Sequence, residues 1–206
     1  MFNPVSSAFL PSSSYYPDSA LWKIDLASNK LSGAIPDSLG RLQKMDELRL
    51  SVNRLSGSIP AWLDRLQELT NLDLASNKLS GAIPESLSSL RDMRRMRLSV
   101  NRLSGSIPAW LDRLQELTTL ELGLNRLSGS IPDSLGRLQK LKNLELGRNR
   151  LSGSIPDSLG RLQKLTNLDL ADNRLSGSIP DSLRRLNALL ELSGNNLTSS
   201  NATKTR

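Results

Sequence analysis

The side chains most able to do chemistry are charged residues that recur every 24 residues. This row, the charged row, reads Asp25, Arg49, Asp73, Arg97, Glu121, Glu145, Asp169 and Glu191. Neighbouring carboxylates such as Glu121 and Glu145 are the groups that general acid–base catalysis uses, provided that a pocket shifts their pKa values apart. The chain has no histidine and no cysteine. The commonest general base, the commonest metal ligand and any disulfide are therefore excluded.

Two blocks of the charged row predict different behaviour. The first five residues alternate in sign, so neighbours should pair with one another across adjacent strands. The last four, Glu121, Glu145, Asp169 and Glu191, are all acidic. They favour a basic ligand, or they form a solvated face on which Lys142 and Arg148 dilute the charge. Because an open strand face gives no pocket to shift the pKa values, we expect no enzyme, no metal site and no cofactor.

Three further sets of residues are candidates for binding. An arginine cluster, Arg94, Arg95 and Arg97, either holds a carboxylate or phosphate through bidentate hydrogen bonds or pairs with acids beside it. A basic row would track a linear polyanion such as pectin, or serve only as solvated surface; its members are Lys30, Arg54, Lys78, Arg102, Arg126, Arg150 and Arg174. Trp62 and Trp110 are predicted on an outer turn as interface anchors. Their shared context is also explained by duplication, since residues 49–68 recur unchanged at 97–116.

The elements that position these residues follow from the repeat. Seven copies of LxxLxLxxNxLSGxIPxxLxxLxx begin at Leu21, Met45, Leu69, Met93, Leu117, Leu141 and Leu165, and a short copy runs from Leu189 to Leu197. A period in the twenties with a leucine scaffold predicts a leucine-rich-repeat solenoid. In each coil the leucines point inward, the charged row points outward from a strand, and the asparagine before LSG satisfies buried backbone groups in a ladder.

The LSGxIP element resembles that of plant-type leucine-rich repeats. LSGAIP occurs at Leu31 and Leu79, and LSGSIP at Leu55, Leu103, Leu127, Leu151 and Leu175. The chain is similar to the ectodomains of receptor-like kinases and receptor-like proteins and to polygalacturonase-inhibiting proteins. This resemblance implies an α/β solenoid that is curved and right-handed, with a concave parallel β-sheet, a second short sheet and short helical turns on the convex side. It also implies recognition of proteins, peptides or cell-wall glycans.

Three domain boundaries are predicted. Residues 1–20 form a leader or a non-standard cap, residues 21–197 form the repeat domain, and residues 198–206 form a disordered polar tail. The first 20 residues lack the basic and continuous apolar regions of a signal peptide, so the chain as written is expected in the cytoplasm, although the similar proteins are extracellular. No apolar run is long enough to span a membrane. We expect a monomer, although an open last coil also allows end-to-end association.

These observations predict a non-enzymatic module that binds a protein or peptide on its concave face. Two alternatives remain open. The first is a cell-wall polyanion held by the basic row. The second is ice binding, against which the threonines are scattered and the face is charged. Aromatic residues make up only 3% of the chain, which excludes a base-stacking surface for specific nucleic-acid binding.

Overall fold

The computed structural model describes residues 21–198, which form one solenoid of stacked coils. The predicted fold class, a right-handed α/β repeat solenoid, is confirmed. The leader or cap predicted at residues 1–20 and residues 199–206 of the predicted tail lie outside the described residues. Thr198, predicted as the first tail residue, instead ends the last strand, where it pairs in parallel with Ser178.

The concave face is one parallel sheet of eight strands, one from each coil. Its strands are β1 (Lys23–Asp25), β3 (Glu47–Arg49), β5 (Asn71–Asp73), β7 (Arg95–Arg97), β9 (Thr119–Glu121), β11 (Asn143–Glu145), β13 (Asn167–Asp169) and β15 (Leu189–Glu191). Each strand pairs in register with its counterpart in the next coil, for example Leu144 with Leu168. The register places residues that share a repeat position in rows across the sheet.

The second set of strands, which follows the asparagine turn of each repeat, forms two parallel sheets of four strands. The first contains β2 (Ser32–Gly33), β4 (Arg54–Ser58), β6 (Lys78–Gly81) and β8 (Arg102–Leu103). The second contains β10 (Ser128–Gly129), β12 (Arg150–Gly153), β14 (Arg174–Ser178) and β16 (Asn196–Thr198). A single bridge, between Ser106 and Ser128, connects the two sheets.

Short 3₁₀ helices form the convex side. They span Asp37–Arg41, Ala61–Arg65, Glu85–Ser89, Ala109–Arg113, Asp133–Arg137, Asp157–Arg161 and Asp181–Arg185. Each begins after a proline whose fixed φ suits a helix start and whose carbonyl accepts the first helical hydrogen bond, as Pro180 does from Leu183 N–H at 3.1 Å. Gly177, at φ 80°, makes the turn that leads the chain toward this helix.

The core is a continuous column of leucine, isoleucine and methionine that runs the length of the solenoid. In the seventh repeat Leu165, Leu168, Leu170 and Leu175 are buried, as predicted. Each coil therefore covers the apolar side of its neighbour, which is how a repeat array builds a core without a globular centre.

The predicted asparagine ladder connects consecutive coils through the backbone. Asn53 donates from Nδ2 to the Leu50 carbonyl of its own coil at 3.0 Å and to the Leu26 carbonyl of the preceding coil at 2.9 Å. Its Oδ1 accepts from the Leu31 N–H at 2.9 Å. The same pattern recurs at Asn77, Asn101, Asn125, Asn149, Asn173 and Asn195. These amides satisfy backbone groups that the coil closure buries, so the asparagines hold the scaffold.

Candidate functional site

The charged row lies on the concave sheet, and its first half is partly self-compensated. Arg49 forms an ion pair with Asp25 at 3.1 Å, and Arg97 forms one with Glu121 at 3.0 Å. Asp73, between the two arginines, pairs with neither of them in the structure. Its carboxylate accepts hydrogen bonds from the Ser51 hydroxyl at 3.0 Å and the Ala75 N–H at 3.2 Å, so it is buried against its own sheet.

A shallow depression of about 100 Å³ lies beside Asp73 on the concave face. It is lined by Glu47, Arg49, Asn71, Leu72, Asp73, Arg95 and Arg97. Three of these residues are arginines, and two of them already hold carboxylates. The carboxylates of Glu47 and Asp73 also line the depression, so Arg95 supplies its unpaired positive charge among hydrogen-bonding groups on strands β3, β5 and β7.

The predicted arginine cluster is divided by the structure. Arg95 and Arg97 share strand β7 and line the depression, whereas Arg94 lies one residue before the strand. The pKa of Glu116 is lowered chiefly by a hydrogen bond from Lys140, and the charge of Arg94 contributes to this shift. Arg95 forms no ion pair with any residue between 21 and 198. Its guanidinium is therefore open to an external carboxylate or phosphate.

The acidic half of the row holds no cation of its own. Glu145, Asp169 and Glu191 form no ion pair within the described part of the chain. Arg148, predicted to dilute this charge, pairs instead with Asp172 at 3.4 Å, and Lys142 forms no ion pair with a described residue. The acid block is defined as Glu121, Glu145, Asp169 and Glu191. Because Glu121 is paired with Arg97, the negative charge of the block comes chiefly from the other three carboxylates, on strands β11, β13 and β15.

Side-chain amides order part of the acid block. Asn167 donates to the Asn143 oxygen at 2.7 Å, and Asn143 donates to a Glu145 oxygen at 2.9 Å and, more weakly, to a Glu121 oxygen at 3.4 Å. A connected chain of side chains therefore runs across strands β9, β11 and β13. It fixes the Glu145 carboxylate in position and leaves further acceptor sites on its oxygens.

Glu121 is half-buried, and its titration reflects that position. Burial raises the pKa of the Glu121 carboxyl above the usual value of 4.5, the positive charge of Arg97 opposes this shift, and the negative charges of Glu145 and Asp73 add to it. A carboxyl whose folded-state pKa is raised stabilises the folded protein while it is protonated. That contribution is lost as the pH rises from the usual carboxyl pKa through the folded-state value.

Glu121→Gln is expected to remove this pH-dependent loss. The free energy of unfolding of the variant, relative to that of the wild type, should therefore increase as the pH is raised from about 4 to about 7. Urea denaturation at a series of pH values measures the difference. Glu145→Gln provides a second check, because loss of the neighbouring charge should lower the Glu121 pKa in an NMR titration. Parallel pH profiles for wild type and Glu121→Gln would contradict the expectation.

The basic row follows the asparagine ladder and lies on one flank of the solenoid. Arg54, Lys78, Arg102, Arg150 and Arg174 begin strands β4, β6, β8, β12 and β14. All seven side chains of the row are exposed. None of the seven forms an ion pair within residues 21–198. The row is therefore a line of uncompensated positive charges.

The tryptophans do not form the exposed pair that the sequence predicts. Both belong to 3₁₀ helices on the convex side, but Trp62 is only 8% exposed and packs with the core. Its ring lies on Gly40, where an added Cβ would be 3.0 Å from Trp62 Cε3. Trp110 is half-buried against the same core. The prediction of Trp62 as an exposed interface anchor is wrong, because the absent side chain at Gly40 opens a place for the ring.

A set of exposed apolar residues was not predicted. Val52, Val100 and Leu124, each directly before a ladder asparagine, are 53%, 43% and 44% exposed. The corresponding residues of the other full repeats are serine, arginine or aspartate. The sequence does carry a signal for these exposed residues. The residue before the asparagine is apolar in LSVN and LGLN, whereas it is polar in LASN and ADN.

Residues 21–198 contain neither a metal-binding cluster nor a membrane-spanning helix. There, no group of three or more acidic, histidine or cysteine side chains is arranged to hold a metal ion. No helix in that range combines the length and apolar character that a bilayer crossing requires.

Comparison with known proteins agrees with this architecture. The Leucine rich repeat family matches residues 19–79, 44–103, 67–127, 91–151 and 139–197. No curated protein matches the chain. The solved structure of the plant peptide hormone receptor RGFR1 in complex with RGF2 is similar over 88% of this chain and 30% of the receptor chain, with 39% identity and a TM-score of 0.83.

Two further structures are informative. The Arabidopsis receptor kinase HAESA, in complex with the peptide hormone IDA and the co-receptor SERK1, is 41% identical over 84% of this chain and 29% of its own, with a TM-score of 0.81. A plant ice-binding protein is 26% identical over 88% of this chain and 77% of its own, with a TM-score of 0.57. The chain thus spans less than a third of either receptor chain. Its repeat period, its stacked parallel strands and these matches together show that the chain belongs to the plant-type leucine-rich-repeat family.

Proposed function

We propose that this chain is a non-enzymatic recognition module that binds a peptide or protein segment along its concave sheet. The observation that carries the proposal is the division of that sheet into two charged regions. In the depression Arg95 presents a positive charge that has no ion-pair partner among the described residues. In the acid block Glu121 pairs with Arg97, whereas Glu145, Asp169 and Glu191 present carboxylates without an ion-pair partner between residues 21 and 198. Similar solved structures are described as receptors in complex with peptide hormones, which supports this class of ligand.

The charge pattern also indicates which ligands would fit. A segment with a carboxylate or other anionic group over strand β7 and basic side chains over strands β11, β13 and β15 would complement the surface. Opposite charges at such an interface speed association and select against wrong partners. Glu121 and Glu145 lie on neighbouring strands of an open sheet face, which supports binding over catalysis.

The proposal is tested by selecting random peptides displayed on phage against the wild-type protein. Peptides that carry basic residues are expected to be enriched. Their affinity should fall at least about tenfold for a variant with Glu145→Lys, Asp169→Lys and Glu191→Lys, because like charges would face the peptide. A control with the same charge change on the convex side carries Asp133→Lys, Asp157→Lys and Asp181→Lys. Equal affinity for both variants, or no enriched peptide, would contradict the proposal.

A second candidate function is binding of a linear polyanion through the basic row. Seven exposed cations without ion pairs support it, because successive coils place them about 4.8 Å apart. Retention on immobilised polygalacturonate at low salt, lost at high salt, is the expected behaviour. Retention should weaken in a variant carrying Arg102→Gln, Arg126→Gln and Arg150→Gln. It should persist in a charge-matched control carrying Arg161→Gln, Lys164→Gln and Arg185→Gln.

Ice binding, the third possibility, has less support. Thr118 and Thr166 occupy the same repeat position, but their hydroxyls donate to the Arg94 and Lys142 carbonyls of the preceding coils at 3.0 and 2.9 Å. The hydroxyls therefore connect coils and do not form a free, regular array. Inhibition of ice recrystallisation by micromolar protein would instead favour ice binding over the two functions proposed above.

A further inference from the structure

The residues directly before the ladder asparagines have an unusual backbone conformation. In the seven full repeats they have φ between 53° and 58°, although none of them is glycine. They are Ser28, Val52, Ser76, Val100, Leu124, Arg148 and Asp172. The left-handed region is unfavourable for any residue with a Cβ and least favourable for a β-branched one. Val52 and Val100, both at φ 56°, are therefore the most strained members of the row.

The scaffold imposes this conformation. Backbone N–H groups of Val52, Val100 and Leu124 donate to carbonyls of the next coil at 2.9, 3.0 and 2.9 Å. The asparagine that follows each of them is held in the ladder by its own hydrogen bonds. A backbone fixed on both sides keeps its φ whatever side chain it bears. Serine, arginine and aspartate adopt the same φ at this position in other repeats, so folding does not require valine or leucine there.

Val52, Val100 and Leu124 carry a second cost, which is exposure to water. Each is about half exposed, at 53%, 43% and 44%, whereas the core leucines are almost fully buried. The duplicated segment accounts for the recurrence of Val52 as Val100, but Leu124 lies outside that segment, in LGLN. The apolar choice thus arose at the same position in two different sequence contexts. Strain and exposure at one position indicate a role outside folding.

The three side chains lie in coils that also contribute to the candidate site. Strands β3, β7 and β9, whose coils carry Val52, Val100 and Leu124, also carry Arg49, Arg97 and Glu121 of the charged row. The depression around Arg95 and Arg97 lies in the same coils as the two valines. Beyond Leu124 the row becomes charged, at Arg148 and Asp172, where the acid block continues. Along the solenoid axis, the apolar residues at this position therefore come first and the charged residues follow.

We propose that Val52, Val100 and Leu124 form an apolar edge that contacts apolar side chains of a peptide bound on the concave sheet. The occupant is an extended peptide that runs along the solenoid axis, with its apolar residues on this edge and its basic residues over the acid block. Two coils separate Val52 from Val100, about 10 Å. An extended chain covers that distance in about three residues. The peptide therefore carries an apolar side chain over Val52 and, about three residues further on, apolar side chains over Val100 and Leu124, whose coils are adjacent. Basic side chains follow.

The inference rests on the proposed function, and its test uses the same phage-displayed random peptides. Enriched peptides should contain apolar residues at the spacing given above, as well as basic residues. A variant with Val52→Asn, Val100→Asn and Leu124→Asn should bind them at least about tenfold more weakly. It should also unfold at a higher urea concentration than the wild type, because asparagine tolerates the left-handed conformation. A structural role for the three residues would give the opposite change in stability.

A matched control, Ser28→Asn, places asparagine at the same repeat position in a coil that has no apolar residue there and no charge to lose. We expect unchanged peptide affinity in this control. Enriched peptides that bind the Val52, Val100 and Leu124 variant as tightly as wild type would overturn the apolar edge and leave the proposed function intact. A triple variant less stable than wild type would also overturn it. No enriched peptide at all would remove the proposed function and this inference with it.

Discussion

Replacing Asn101 with alanine is expected to lower the free energy of unfolding by about 3 to 5 kcal/mol. The Asn101 Nδ2 group donates to the carbonyls of Leu74, Leu98 and Ser99 at 3.0, 3.1 and 3.2 Å. Its Oδ1 accepts from the Leu79 N–H at 2.9 Å. Alanine would leave several of these buried backbone groups without a partner, and each unsatisfied group costs about 1 to 3 kcal/mol. Urea denaturation followed by circular dichroism measures the change.

Asn29 provides the matched control for this prediction. Among described residues it donates only to carbonyls of its own coil, Leu26 at 3.1 Å and Ala27 at 3.0 Å, and it is exposed. Solvent can replace those bonds, so Asn29→Ala should cost about 1 kcal/mol or less. Similar small losses for both variants would show that the bonds between coils contribute little to stability.

The sequence predicted the scaffold well because each of its requirements has a residue signature. The leucine spacing specifies which side chains are buried, and the asparagine position specifies where backbone groups need partners. The Ser-Gly and Ile-Pro elements indicate a turn and a helix start, which the structure places at Gly177 and Asp181. All of these are local rules repeated every 24 residues. A wrong structural assignment in one repeat would therefore be recognised by comparison with the other six.

The candidate site was predicted less completely, because its properties depend on contacts between coils. Alternating charges suggested that Asp73 pairs with arginine, but Ser51 and Ala75 offer it nearer hydrogen bonds. Arg94 and Arg95 are adjacent in sequence, yet only Arg95 belongs to the strand that lines the depression. A charge pattern gives the row to which a residue belongs. It does not give the competing partners that neighbouring coils supply.

The residues directly before the ladder asparagines, which have positive φ, could not be interpreted from the sequence for a different reason. Turn chemistry at that position favours serine, asparagine, aspartate or glycine, so a valine there is a departure that a repeat consensus averages away. The departure is energetically unfavourable because Val52 and Val100 have a φ of 56° in the structure and are exposed to water. Departures from the repeat pattern therefore carry more information about function than the pattern itself, which describes the scaffold.

Trp62→Ala is expected to lower the free energy of unfolding by about 3 to 5 kcal/mol, the range typical of a buried aromatic side chain. Trp62 is 8% exposed and its ring covers Gly40, so alanine would leave a cavity between the first two coils. Trp62→Phe should cost less, because the indole N–H that it removes has no hydrogen-bond partner. Urea denaturation gives the values, and affinity for selected peptides should not change, since Trp62 lies on the convex side.

Trp110→Ala is the internal comparison, because Trp62 and Trp110 occupy identical sequences, AWLDR, yet differ in burial. The difference comes from the preceding coil, which presents Gly40 to Trp62 and Ser88 at the equivalent position before Trp110. We expect Trp110→Ala to cost about 2 kcal/mol, in proportion to the smaller buried area. Gly40→Ser should reduce the cost of losing Trp62 toward that of losing Trp110, since a side chain at residue 40 would lift the ring. Equal costs for the two tryptophans in the wild-type background would show that the glycine does not determine their burial.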